Sequence, residues 1–321
     1  RSRRGITNGQ IYALDLSHPA VLAHLEHVFR TLREQGFAYF KIDFLSAGLR
    51  NGKRHNPAQS PVQAFRNALL RIREAVGDDY IVGCGAPILP AVGICDGLRV
   101  SSDVKEVWRD PKIAFFAGDC GHPSAELALW NDLTRAHLHR RWFINDPDCL
   151  LVRERDTSLS QPEIQTLCSV LAQSGGALFL SDDMSRLASD RLSLAQQTLP
   201  VHNRGPNART LGVLTEKRPY RMVRTRDVDG QQDAIAVVVN WADTHVTHQI
   251  KATDLGLSDG TYHAYEHWTG TYQLLTPSTA MSIALPAHGS AHLVFRPLPQ
   301  CPLRRQPRPT LIAATHHLGM I

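Results

Sequence analysis

The stretch Ala38-Tyr39-Phe40-Lys41-Ile42-Asp43-Phe44, set off by Gly36, decides how this chain is read. Upstream of the glycine, Val21, Leu22, Leu25, Val28, Phe29 and Leu32 recur at steps of three and four, the apolar face of a helix that His18-Pro19 opens. Downstream, Tyr39, Phe40 and Ile42 read as a buried strand. A helix, a glycine stop and an apolar strand ending in a charged pair form half of a crossover unit. The rest of the chain to about residue 200 repeats it.

A second helix starts at Ser60-Pro61, a good cap with proline in the first turn, and carries Val62, Phe65, Leu69, Ile72 and Val76 as its stripe. Strands are expected at 80–84, 97–101, 142–145 and 177–180. Helices are expected at about 124–139, 162–173 and 186–198. This alternation predicts a parallel sheet with crossover helices. About five strands are present, three short of a closed eight-stranded barrel. Beyond Pro206 the texture changes to short β-rich runs at 234–240, 246–250, 262–267, 281–284 and 291–295, broken by Gly, Asp, Ser and Pro, as in an antiparallel sandwich. The expected division is 1–203 for the α/β part, 204–297 for the sandwich and 298–321 for a Pro/Arg-rich tail.

The chain has 321 residues, with 35 Lys+Arg against 30 Asp+Glu, a formal +5. Residues 1–10 and 298–321 hold six arginines and no acid, which leaves 29 basic and 30 acidic residues between them. The body is thus nearly neutral, and the basic ends lack the interleaved aromatics of a nucleic-acid binder. No apolar run reaches the roughly 18 residues a membrane span needs. Six cysteines show no CxxC pair and read as reduced thiols. With no signal peptide at the start, a cytoplasmic location is expected.

In parallel α/β architectures functional groups gather where strands end. The ends here are Lys41-Ile42-Asp43, Cys84-Gly85, Arg99-Val100-Ser101-Ser102-Asp103, Asn145-Asp146-Pro147-Asp148 and Ser181-Asp182-Asp183. Lys41 and Asp43 are two apart and so share one face of the sheet. Asp182 and Asp183 read as acids that cap the next helix. Asp43 does not, because Phe44-Leu45 comes next and the nearest helix starts far downstream. Two carboxylates on different strand ends, with Lys and Arg nearby, suit cleavage of a glycosidic bond.

At these residues the chain resembles the α-galactosidases of the melibiase group, glycoside hydrolase family thirty-six. The likeness rests on Tyr12-Ala13-Leu14-Asp15-Leu16-Ser17-His18-Pro19, Phe40-Lys41-Ile42-Asp43-Phe44, Gly83-Cys84-Gly85-Ala86-Pro87, Arg99-Val100-Ser101-Ser102-Asp103-Val104, Asn145-Asp146-Pro147-Asp148-Cys149-Leu150-Leu151-Val152-Arg153 and Ser174-Gly175-Gly176, in that order. It implies a partial (β/α)8 barrel followed by an antiparallel β-sandwich. It also implies a retaining mechanism, with Asp43 as nucleophile and Asp103 as general acid/base, their carboxyls about 5–5.5 Å apart. Lys41 and Arg99 would bind sugar hydroxyls, Cys84 and Asn145 would line the pocket, and Trp142 would wall it or belong to the core. Asp146 and Asp148 would turn the chain and orient Arg153 or Asn145.

The resemblance further implies a galactoside or oligosaccharide substrate, no cofactor, no metal, no nucleic-acid or membrane partner, and a homo-oligomeric full-length enzyme. Against the family, the segment before Asp15 is short by three barrel strands and a β-domain. The chain is therefore expected to be an internal piece of a longer enzyme, with an exposed strand edge and poor activity alone. The alternatives are a non-catalytic carbohydrate-binding or inactive remnant, an α-N-acetylgalactosaminidase, or a galactosyl transferase. Sixteen histidines raise a metal-hydrolase reading. Its local candidates, His137 with His139 and His316 with His317, are weak: the first two lie on different faces of a helix.

Overall fold

The computed structural model describes residues 12–109, 122–199, 207–228 and 231–298. The tail beyond Leu298, with His316 and His317, lies outside the described residues, as do the basic residues at the start of the chain. Two compact units form, Arg1–Arg99 with Trp142–Ile144, and Val100–Arg141 with Asn145–Ile321.

The first unit begins with α1 (Pro19–Glu34), whose N-terminus is closed by His18 Nδ1 accepting the Ala20 N–H at 3.1 Å. Strand β1 (Tyr39–Ile42) comes next, then α2 (Pro61–Val76), β2 (Tyr80–Gly83), the short α3 (Ile88–Ala91) and β3 (Gly97–Arg99). A capping box between Ser60 and Gln63, with proline in the first turn, starts α2 where the sequence places it. Its buried face is Ala64, Phe65, Ala68, Leu69, Ile72, Ala75 and Val76, while Val62 at the end of the expected stripe is exposed. None of the residues of α1 is fully buried, although Phe29 meets Phe40 edge-on at 5.8 Å. Strands β1, β2 and β3 pair in parallel, with Ile42 opposite Gly83 and Val82 opposite Gly97. Strand β1 is the edge of this sheet. Its Tyr39 and the preceding Phe37 are exposed among the described residues.

One side chain ties helix to sheet in this unit. The Arg73 guanidinium on α2 donates to the carbonyls of Gly77, Asp79 and Ile94 and pairs with Asp96 at 2.5 Å. The same Asp96 carboxylate accepts the Ile81 N–H of β2 at 2.8 Å.

In the second unit the α/β elements continue with α4 (Ala125–Arg135), β5 (Cys149–Leu150), α5 (Gln161–Ser174), β6 (Phe179–Leu180) and α6 (Ser189–Thr198). β4 (Ile144–Asp146) starts two residues later than expected, because Arg141 and Trp142 form a turn. The parallel pair β5 and β6 brings the short α/β strands among the described residues to six, one more than the sequence reading.

The antiparallel part is a six-stranded sheet in the order β12 (Tyr272–Leu275), β11 (Tyr262–Glu266), β14 (Ser290–Pro297), β9 (Gln231–Val239), β8 (Arg221–Val228), β7 (Arg209–Leu211). A separate pair, β10 (Val246–Ile250) with β13 (Met281–Leu285), completes it. One face of the large sheet, through Val223, Ala236, Val238 and Leu293, packs with Ile250, Met281, Ile283 and Leu285. The opposite face, through Met222, Val237 and Val239, packs with Ile164, Leu167 and Leu171 of α5. Residues 234–239 are therefore buried on both faces, as a continuous apolar run requires.

Strands β7, β8 and β12 are absent from the sequence reading. In β8 the reason is charge: Arg224 hides the apolar alternation, yet it is buried, and its guanidinium donates to the Gln173 carbonyl at 2.7 Å. This contact, with Gln173 Nε2 donating to the Ile235 carbonyl at 2.8 Å and Trp268 Nε1 to Ser169 Oγ at 2.9 Å, binds α5 to the sheet. Helix α5 and the sheet it covers lie in the same compact unit.

Replacing Arg73 by alanine strands three carbonyls and the Asp96 carboxylate. Urea titration is expected to show a loss of about 1–3 kcal/mol. A change under about 0.5 kcal/mol would place the joint elsewhere.

Candidate active site

Alternation along β1 buries Phe40 and leaves Lys41 and Asp43 exposed on the other face. Parallel register then supplies the neighbour. The Cys84 N–H donates to the Ile42 carbonyl at 2.8 Å, which sets Cys84 beside Asp43, and the thiol donates to the Asp43 carboxylate. Burial pushes the Cys84 thiol up to about 11; the bond to Asp43 adds to the rise, while the charges of Arg99 and Lys41 oppose it. Arg99, at the end of β3, is itself buried. Four of the expected site residues, Lys41, Asp43, Cys84 and Arg99, thus stand together at the strand ends of the first unit.

The loop after Asp43 is tightly held. Asp43 Oδ1 accepts the Phe44 N–H at 2.6 Å, Leu45 N–H donates to the Cys84 carbonyl at 3.3 Å, and Ser46 N–H to the Gly85 carbonyl at 2.8 Å. Gly85 has φ +57°, a conformation that favours glycine, and a Cβ there would meet only ordinary contacts with Phe44 and Asp43.

Trp142 is placed differently from the expectation. The Ile144 N–H donates to the Asp96 carbonyl at 2.8 Å, just ahead of β3, so Trp142 two residues earlier stands at the level where the strands begin. It is 45% exposed, neither core nor wall of the Asp43 cluster.

The second unit holds Asp103 and Asn145. Asp103 is exposed, and the backbone on either side of it is fixed: its carbonyl accepts the Ser124 N–H at 3.2 Å, and the Val104 N–H donates to Asp148 Oδ2 at 2.9 Å. Asp148 sits at φ 80° and donates its own N–H to Asp146 Oδ1 at 2.9 Å. Asp146 and Asp148 thus turn the chain and steady the segment that carries Asp103. Arg153 is held instead by Asp182, which pairs with its Nε at 3.1 Å and accepts the N–H groups of Val152 and Arg153. Asp183 does cap a turn, accepting the Ser185 N–H at 3.1 Å. Asn145 is buried, with its Nδ2 donating to the Arg135 carbonyl at 3.1 Å. Gly176 explains the Ser-Gly-Gly motif, since a Cβ there would come within 2.6 Å of the Asn145 carbonyl.

One group escaped the sequence reading. Asp132 is fully buried on α4, and burial pushes its carboxyl up to about 7, with the Asp146 charge adding and the Ser174 and Asn145 side chains opposing. A lone acid between Leu129 and Leu133 on the apolar face of the helix was the available signal.

His139 is buried and accepts the Asn145 N–H through Nδ1, while His137 faces outward to the Thr134 carbonyl, so the two rings do not converge. Among the described residues no cluster of three or more His, Cys, Asp or Glu is arranged to hold a metal ion. No described helix is long and apolar enough to cross a membrane.

An α/β part with charged strand ends, followed by an antiparallel β-domain, is the architecture of TIM-barrel glycosidases with a C-terminal sandwich, present here in part. No protein-family model matches the chain. Among solved structures it is similar to an α-galactosidase from Thermus thermophilus in complex with p-nitrophenyl α-D-galactopyranoside, at 30% identity and a TM-score of 0.52, over 69% of this chain and 42% of that one. It shares the fold of α-galactosidase I from Mortierella vinacea, at 15% identity and a TM-score of 0.65, over 86% of this chain and 72% of that one. A family 27 β-L-arabinopyranosidase from Geobacillus stearothermophilus gives a TM-score of 0.65 at 15% identity, over 92% of this chain and 66% of that one. The neighbours support a galactosidase-type glycosidase, and not family thirty-six in particular. The chain spans about two fifths of the length of the Thermus enzyme.

Only the thiolate alkylates. Iodoacetamide labelling of Cys84, read by peptide mapping, is expected to be slow at about pH 7.5 and to rise towards about pH 11. Asp43→Asn removes the negative charge that raises the thiol, so labelling near neutral pH should speed up. Equal rates in both proteins would break the Cys84–Asp43 contact.

For Asp132, the folded chain holds a proton that the unfolded chain has released between about pH 4 and 7, so stability from this group falls as pH rises through that window. Asp132→Asn is expected to match the parent near pH 4 and to exceed it at about pH 8 in urea titrations. A gap that does not widen with pH would contradict the raised carboxyl.

Proposed function

We propose that the chain belongs to a retaining α-galactosidase that hydrolyses terminal α-D-galactosyl residues. The observation that carries this reading is the cluster of Asp43 with Lys41, Cys84 and Arg99 at the ends of adjacent parallel strands. Likeness to α-galactosidases supports it, including one in complex with an aryl α-galactoside.

In this reading the exposed Asp43 carboxylate attacks the anomeric carbon and forms a covalent galactosyl ester. Asp103 gives a proton to the leaving oxygen and later takes one from the incoming water. Lys41 and Arg99 bind the sugar hydroxyls and hold the ring for in-line attack. The Cys84 thiol keeps a donor on the carboxylate. Asp148 acts through the Val104 N–H it holds, setting the segment that carries Asp103.

The test is release of p-nitrophenol from p-nitrophenyl α-D-galactopyranoside. Asp43→Asn is expected to lower turnover by about a thousandfold or more. Asp43→Ala with added azide is expected to yield galactosyl azide of inverted configuration, the mark of a lost nucleophile. A wild-type chain that binds galactose without turnover, with affinity unchanged in Asp43→Asn, would make it a carbohydrate-binding remnant instead.

A further inference from the structure

Phe44 stands directly after Asp43 and is out of keeping with its surroundings. It sits at φ 56° and ψ 28°, in the left-handed region, where a residue with a bulky side chain is an outlier. Its ring is 80% exposed. The turn is held by backbone groups and the Asp43 carboxylate: Phe44 N–H to Asp43 Oδ1 at 2.6 Å, Ala47 N–H to the Phe44 carbonyl at 2.9 Å, and Ser46 N–H to the Gly85 carbonyl at 2.8 Å. Any residue but proline could make these bonds at position 44, and glycine would make them without strain. The ring therefore neither builds the turn nor fills a core. It is kept at a strained position one residue from the carboxylate, where such outliers serve function. A Cβ at Gly85 would lie 3.6 Å from the Phe44 Cα, so the glycine sets no side chain against the backbone of the turn.

We propose that the Phe44 ring is the platform for the sugar that leaves, packing on the apolar C–H face of the pyranose attached to the galactosyl group. This rests on the α-galactosidase reading above. A pyranose shows one face of C–H groups, and an exposed aromatic ring one residue from the attacking carboxylate can cover it at little entropic cost. Phe44 is thus a specificity-determining residue: it discriminates sugar leaving groups from small ones.

The experiment compares two substrates on the full chain, an α-1,6-linked galactosyl disaccharide and α-galactosyl fluoride, whose leaving group is too small to touch the ring. The measured quantity is the ratio of their kcat/KM values. Phe44→Ala and Phe44→Gly are each expected to lower that ratio about tenfold, and Phe44→Trp to keep it within about twofold of the parent. Phe44→Gly suits the backbone and is expected to fold with a thermal midpoint no lower than the parent's. A ratio unchanged in both small variants would overturn the platform. So would equal loss on both substrates together with a lowered midpoint, which would mean that the ring packs on protein. Failure of the wild-type chain on both substrates would instead remove the parent reading, and the platform with it.

Discussion

The hydrogen bond from the Cys84 N–H to the Ile42 carbonyl is the contact on which the Asp43 cluster rests. It continues the parallel register of β1 and β2 one step past the strands, and so decides which side chain stands beside Asp43. A slip by one residue would turn Lys41 and Asp43 to the buried side and bring Phe40 and Ile42 out. The same register sets the thiol donor on the carboxylate, the tie between the loops after β1 and β2, and the left-handed turn at Phe44. Arg73 and Asp96 brace the other end of these strands by joining α2 to β2 and to the approach to β3.

The second unit meets a comparable demand by other means. Its strands at β5 and β6 are only two residues long, too short to hold loops by ladder bonds alone. Carboxylates that accept backbone N–H groups make up the difference: Asp148 for Val104, Asp146 for Asp148, Asp182 for Val152 and Arg153. Each is a charged acceptor on a neutral donor, stronger than the amide pair it replaces. That is why acids crowd these strand ends without all being chemical.

Much of this was legible in the sequence. The helix starts at Pro19 and Pro61 come from proline and cap chemistry acting within a few residues, and the structure puts them there. The buried strand 234–239 shows in its unbroken apolar run. The Lys41–Asp43 pair shows in the period of two. What hid was long-range. Strand β8 looks like a charged loop because Arg224 finds its partner, the Gln173 carbonyl, 51 residues away. Trp142 looks like a pocket wall from its place beside a strand, yet the level at which that strand starts is set by Asp96. Asp132 looks like an ordinary helix acid until α4 turns it inward.

The sequence by itself determined the alternation of helices and parallel strands, the change to antiparallel β structure, and the residues able to do chemistry at the strand ends. Local rules suffice for these, since caps, periodicity and turn residues act over a few positions. Only the tertiary structure decided which of those residues meet, because Asp43, Cys84 and Arg99 are joined by strand register rather than by sequence spacing. It also decided the compact units, because the face of α5 that needs burial finds its cover in a sheet that begins 35 residues after the helix ends.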